Sequence, residues 1–160
     1  MLELMIVLSI AAILAISSFV FVGFMGGVKL QSAAEKLSGD LRYARNQAML
    51  KASWYGVSFE TDPKNNYYVY QTDGSIDTIE VDPADYTKTL IVNVNDKFGA
   101  VIMGVTLEGG LKKVEFNGLG KPYTDYYGWS ATTESTIVLG IGTETKTVSI
   151  TPNTGKIDIQ

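Results

Sequence analysis

Four groups of side chains carry types and spacings that could do chemistry. The first is Glu3, the only charged residue among the first 28, followed by Leu4–Val28 without a charge. A carboxylate beside so long an apolar run opposes deep burial in a bilayer. A partner cation, such as the N-terminal amine of a neighbouring chain, removes that opposition; the alternative is an interfacial acid stabilised by the dipole of a helix N-terminus. The second group lies between Glu60 and Lys97, where eight acids (Glu60, Asp62, Asp73, Asp77, Glu80, Asp82, Asp85 and Asp96) face Lys64, Lys88 and Lys97. Carboxylates at this density raise the question of a hard cation such as calcium, but their spacing fits no EF-hand loop, and a solvated acidic face is the preferred reading. The third is Lys121–Trp129, the densest aromatic stretch, which either presents a binding surface or packs its loop onto a sheet, the latter preferred. The fourth is basic: Arg42, Arg45 and Lys51 toward the end of a helical pattern, candidates for phosphate contact that read first as complements to the helix dipole.

The chain has no His and no Cys among its 160 residues. Ser-His-Asp and Cys-His catalysis, His-ligated zinc and disulfides are therefore excluded. Asp, Glu, Lys and Tyr form no convergent motif, so no catalytic, cofactor-binding or metal-ligating residue is assigned and the chain reads as a non-enzyme. The net charge of −4 argues against a nucleic-acid surface covering the domain. The tail Thr151–Gln160 offers only Lys156 against Asp158, which speaks against DNA binding there as well.

The elements that would position these residues divide the chain into three stretches. Residues 1–28 read as a transmembrane helix half, because Leu4–Val28 as a helix would span about 38 Å. A secretory signal is disfavoured, since Met1-Leu2-Glu3 places an acid where a basic residue belongs. Residues 29–51 keep helical spacing, with Leu30, Ala34, Leu37, Leu41, Ala44 and Ala48 on one narrow face and Lys36 and Asp40 paired at i,i+4. Residues 52–160 change to short β-branched and aromatic runs with no further helix. Strands are expected at Trp54–Glu60, Tyr67–Gln71, Ile76–Val81, Thr89–Val94, Val101–Leu107, Lys113–Phe116, Thr136–Leu139 and Lys146–Thr151, with hairpin turns at residues 62–66 and 72–75. The expectation is an α+β fold: a long N-terminal helix whose amphipathic half packs on an antiparallel sheet or sandwich.

The run Leu2-Glu3-Leu4-Met5-Ile6-Val7-Leu8-Ser9-Ile10-Ala11-Ala12-Ile13-Leu14-Ala15 resembles the start of type IV pilins and of the pseudopilins of type II secretion. Leu41–Ala48, Val114-Glu115-Phe116-Asn117-Gly118-Leu119-Gly120-Lys121-Pro122, Ser135–Leu139 and Val148–Ile157 look like the minor pilin and pseudopilin family of the GspH/FimT type. In that family a leader ending in Gly is cut before a Phe, the new amine is methylated, and a Glu four positions later guides assembly; Glu3 matches that Glu. Met1 falls two residues after the expected Phe with no Lys-Gly leader before it, so the processed end is not read from this sequence. The resemblance implies a single-pass subunit of the bacterial inner membrane with an extracytoplasmic head, and as partners other pilin or pseudopilin subunits, membrane lipid, a prepilin peptidase and an assembly platform. The reading is a structural subunit of a type IV filament system, a minor pilin or pseudopilin that initiates or caps a pilus or pseudopilus. The alternatives are a major filament-forming pilin and a single-pass anchored β-domain that binds a ligand and never assembles.

Overall fold

The computed structural model describes residues 2–128 and 130–160, and the side chains of these residues other than 2–4 and 12–25. A single helix, α1 (Leu2–Lys51), runs for 50 residues, about 75 Å at ~1.5 Å per residue. It stops where Ala52 takes a left-handed φ of 48° and the Ser53 N–H reaches back to the Ala48 carbonyl at 3.1 Å, a Schellman ending.

Beyond it lie two antiparallel sheets. The first contains β1 (Trp54–Glu60), β2 (Asn66–Thr72), β3 (Asp77–Ile79), β6 (Ile91–Asn93), β8 (Lys113–Phe116) and β9 (Pro122–Tyr123), in the order β3-β2-β1-β8-β9 with β6 also pairing β2. The second is β12-β11-β10-β7, from β7 (Val101–Thr106), β10 (Ser135–Ile141), β11 (Glu144–Ile150) and β12 (Ile157–Ile159). A small ribbon of β4 (Val81–Asp82) and β5 (Asp85–Thr89) stands apart.

The C-terminal half of α1 touches both sheets. Every residue of the expected stripe, Leu30, Ala34, Leu37, Leu41, Ala44 and Ala48, is buried, together with Ala33. They share one core with Tyr55, Val57 and Phe59 of the first sheet and with Ile137, Leu139, Val148 and Ile150 of the second. Each fully buried Leu contributes about 1.5–3 kcal/mol, enough to hold the helix to the head without any polar tie.

Three expectations need correction. The expected strand Ile76–Val81 divides at Glu80, and Thr89–Val94 divides at Leu90. The backbone explains this: Glu80 N–H donates to Val69 O, Leu90 N–H to Glu80 O, and Val69 N–H to Leu90 O. Glu80 and Leu90 thus close a three-way junction from which the β4–β5 ribbon peels away. A second helix also exists, α2 (Val94–Phe98). Its five residues are too few to show periodicity, but its stops are legible: the Asn93 side chain accepts the Asp96 N–H, and Gly99 at φ 70° closes the C-terminus.

Candidate assembly surface and helix clamp

Near the N-terminus of α1 the side chains of Met5, Ile6, Val7, Leu8 and Ile10 are 51–70% exposed. They point in every direction around the helix, so an apolar surface surrounds it with no polar stripe to face water. At Gly26 and Gly27 the β10–β11 turn comes close to the helix through Ile141 and Glu144; Leu30 is the first fully buried side chain beyond them. Among the described residues no helix is long and apolar enough to cross a membrane. The Glu3 side chain, and those of residues 12–25 within Leu4–Val28, lie outside the described residues.

The buried half of the helix is clamped by polar contacts that reach both strands and a loop of the head. Arg42 Nη2 donates to the Ile157 carbonyl at 2.9 Å, and Arg45 Nε donates to the Gly120 carbonyl at 3.2 Å. Gly120 has a φ of 72°, and a Cβ there would lie 2.8 Å from Met49 Sδ; a Cβ on Gly155 would lie 2.5 Å from Gly120 O. The two glycine-containing loops that resemble family motifs therefore converge on one arginine, and their glycines are required because helix and loops touch without room for a side chain.

Further along, Asp40 accepts from Lys36 Nζ at 2.6 and 2.8 Å and from the Tyr67 hydroxyl at 2.7 Å. The i,i+4 pair is readable from spacing, but its tie to the first sheet is not. Tyr67 is held neutral far above its ordinary range, first by burial and then by the Asp40 charge beside it. Lys51 donates to the Tyr55 hydroxyl at 2.7 Å, a bond that raises its own pKa. The basic cluster Arg42/Arg45/Lys51 is thus occupied in fixing the helix to the head.

The eight acids are spread over separate strands, turns and the first turn of α2. Glu60 pairs with Lys64 and Asp85 with Lys88. Asp73 accepts the Ser75 and Ile76 N–H groups, and these hydrogen bonds lower its pKa. Among the described residues no three of His, Cys, Asp or Glu converge on a metal-sized space. In the aromatic stretch, Tyr123 and Tyr126 each sit with ring centroids 4.9 Å from Trp54, while Tyr127 projects into solvent, 77% exposed. The stretch therefore both packs on the first sheet and leaves one ring outward; Trp129 lies outside the described residues.

A long N-terminal helix, apolar all round near its start and buried between two antiparallel sheets near its end, defines a pilin-type subunit. Residues 33–155 match the family model described as Type II transport protein GspH. The chain belongs to that family, the minor subunits of type IV filament systems. Its fold is similar to the type IV minor pilin FimU of Pseudomonas aeruginosa, with 20% identity, 82% of this chain and 92% of that one covered, and a TM-score of 0.53. It is similar also to the minor pseudopilin EpsH from the Type 2 Secretion System of Vibrio cholerae, with 14% identity, 82% and 96% covered, and a TM-score of 0.60. No curated protein matches the sequence.

Proposed function

We propose that this subunit is a non-enzymatic, single-pass protein of the bacterial inner membrane, anchored through Leu4–Val28 with its head outside the cytoplasm. It leaves the lipid to enter the helical core of a pilus or pseudopilus, which it initiates or caps. The observation that supports this most is the contrast along α1: Met5–Ile10 exposes apolar side chains all round, whereas Leu30–Ala48 buries its apolar face in the subunit's own head. The first surface needs an external apolar partner, and lipid or neighbouring helices both supply one.

In this reading Glu3 pairs with the N-terminal amine of a neighbouring subunit, which lets a carboxylate leave water. Prepilin peptidase and an assembly platform are the implied processing and export partners. The test compares the natural chain with Glu3→Ala and with a version whose Leu4–Val28 is replaced by an unrelated transmembrane helix. All three should reach the membrane with folded heads, and both altered chains should be depleted from sheared filament fractions. Undiminished incorporation of either altered chain would overturn this reading, and absence of the natural chain itself from those fractions would identify a tethered module for which any anchor serves.

A further inference from the structure

Where α1 ends, at the opposite end of the helix from Met5–Ile10, an open groove of about 530 Å³ lies between the helix exit and the β2–β3 turn. That volume falls within the ~300–1,000 Å³ usual for small-molecule sites. Trp54 and Tyr126 form one wall, their planes inclined at 51°. Ile76, 67% exposed, forms part of the rim.

The aromatic wall is fixed before any ligand arrives. The Tyr126 ring lies so close over Gly74 that a Cβ there would be 2.5 Å from a ring carbon. Its own N–H donates to Asp125 Oδ1 at 2.8 Å, and that oxygen also accepts from Lys113 Nζ at 2.7 Å. Lys113 bridges onward to Glu115 at 3.2 Å, a carboxylate with no solvent exposure. Tyr123 also meets Trp54 edge-on, at 68°.

Around this wall the lining is rich in hydroxyls. Ser53 Oγ accepts from Gln71 Nε2 and Thr72 Oγ1 accepts from the Gly74 N–H, which leaves both hydroxyl protons to donate. Asp73 uses Oδ1 for two turn N–H groups; among the described residues neither its Oδ2 nor the Thr78 hydroxyl takes part in a hydrogen bond. An apolar ring face beside several neutral donors and acceptors matches a ligand with a C–H face and a hydroxyl edge. A cation would call for more than the single carboxylate found here, and a proline-rich strand would leave the hydroxyls unused.

We propose that this groove binds a pyranose unit of a glycan, its C–H face stacked on Trp54 and Tyr126 and its hydroxyls bonded to Asp73 and Thr72. The binding itself needs no filament; its presentation at the outward end of an assembled subunit rests on the function proposed above. The test is saturation-transfer difference NMR on the full chain, in a detergent with neither a sugar nor a choline headgroup. The probes are the methyl pyranosides of glucose, galactose, mannose and N-acetylglucosamine. At least one should receive saturation on the protons of one ring face. Ile76→Arg, an exposed change that fills the rim, should weaken that binding about tenfold without moving the melting temperature. Lys113→Met, which frees the Tyr126 wall, should weaken it less. Absence of transfer to all four sugars, transfer unchanged by Ile76→Arg, or occupation of the groove by choline or a proline-rich peptide in place of sugar would each overturn the proposal. None of these outcomes alters filament incorporation, which is scored separately with Glu3→Ala.

Discussion

The Tyr70 hydroxyl donates to Glu115 Oε1 at 2.6 Å across a strand that separates them. Tyr70 of β2 and Glu115 of β8 both stand in register with Gly56 of β1. The bond exists because that intervening residue has no side chain: a Cβ on Gly56 would lie 2.5 Å from Tyr70 Cζ and 2.9 Å from Glu115 Cγ. Burial, followed by the hydrogen bond to Glu115, raises the tyrosine pKa far above its usual range.

Gly56→Ala should therefore destabilise the head by about 1–3 kcal/mol, the usual range for overpacking a close contact. Tyr70→Phe, which takes a donor from a buried carboxylate, should have an effect of similar size. Because both changes act on one contact, the double variant should be less destabilised than the sum of the two singles. Chemical denaturation of the three variants measures this coupling.

A second test concerns alkaline stability. Tyr67 and Tyr70 have folded-state pKa values raised above 10.0, so their contribution is complete below pH 10 and is lost progressively as pH rises above it, because only the unfolded chain ionises readily there. The natural protein should lose melting temperature above pH 10, and Tyr67→Phe with Tyr70→Phe should flatten that loss even though they lower stability at pH 7.

The acid side turns on Glu108, which accepts from the backbone and hydroxyl groups of Thr132 and Thr133. Its pKa is lowered first by the Thr132 side chain and then by the Thr132 and Thr133 N–H groups. The stabilisation is present above the unfolded value of 4.5 and disappears as pH falls through the lowered folded value. Glu108→Gln should melt earlier than the natural chain at pH 7, with the difference shrinking below pH 4.5; melting curves across pH 2–7 decide this.

Arg42→Ala and Arg45→Ala should each loosen one segment and leave the rest of the head intact. Hydrogen exchange should rise at β12 in the first and around Asn117–Pro122 in the second, since these segments lose the arginine that reaches their carbonyls. A salt-sensitive mobility shift with DNA that vanishes in these variants would assign the arginines to phosphate binding instead.

Much of the fold is legible without coordinates because it follows from local periodicity. Leu30, Ala34, Leu37, Leu41, Ala44 and Ala48 recur at helical spacing, and all six are buried; Trp54–Glu60 and Lys113–Phe116 appear as strands with the expected bounds. The short pieces are not legible: β4, β9, β12 and α2 have two to five residues each, and so few residues complete no pattern. Pairing partners are provided from far along the chain, as when β1 lies between β2 and β8.

The candidate surfaces divide in the same way. The uncharged run Leu4–Val28 after Glu3 and the i,i+4 pair of Lys36 and Asp40 are properties of composition and spacing, so the amino-acid order alone determined an apolar helix start and a salt bridge. What tertiary structure decided is contact between residues distant in sequence. It placed Tyr67 on Asp40, Gly120 on Arg45 and Tyr126 on Trp54. Each of these depends on how two sheets close around one helix, a relation set by the packing of the whole core that leaves no signature in neighbouring residues.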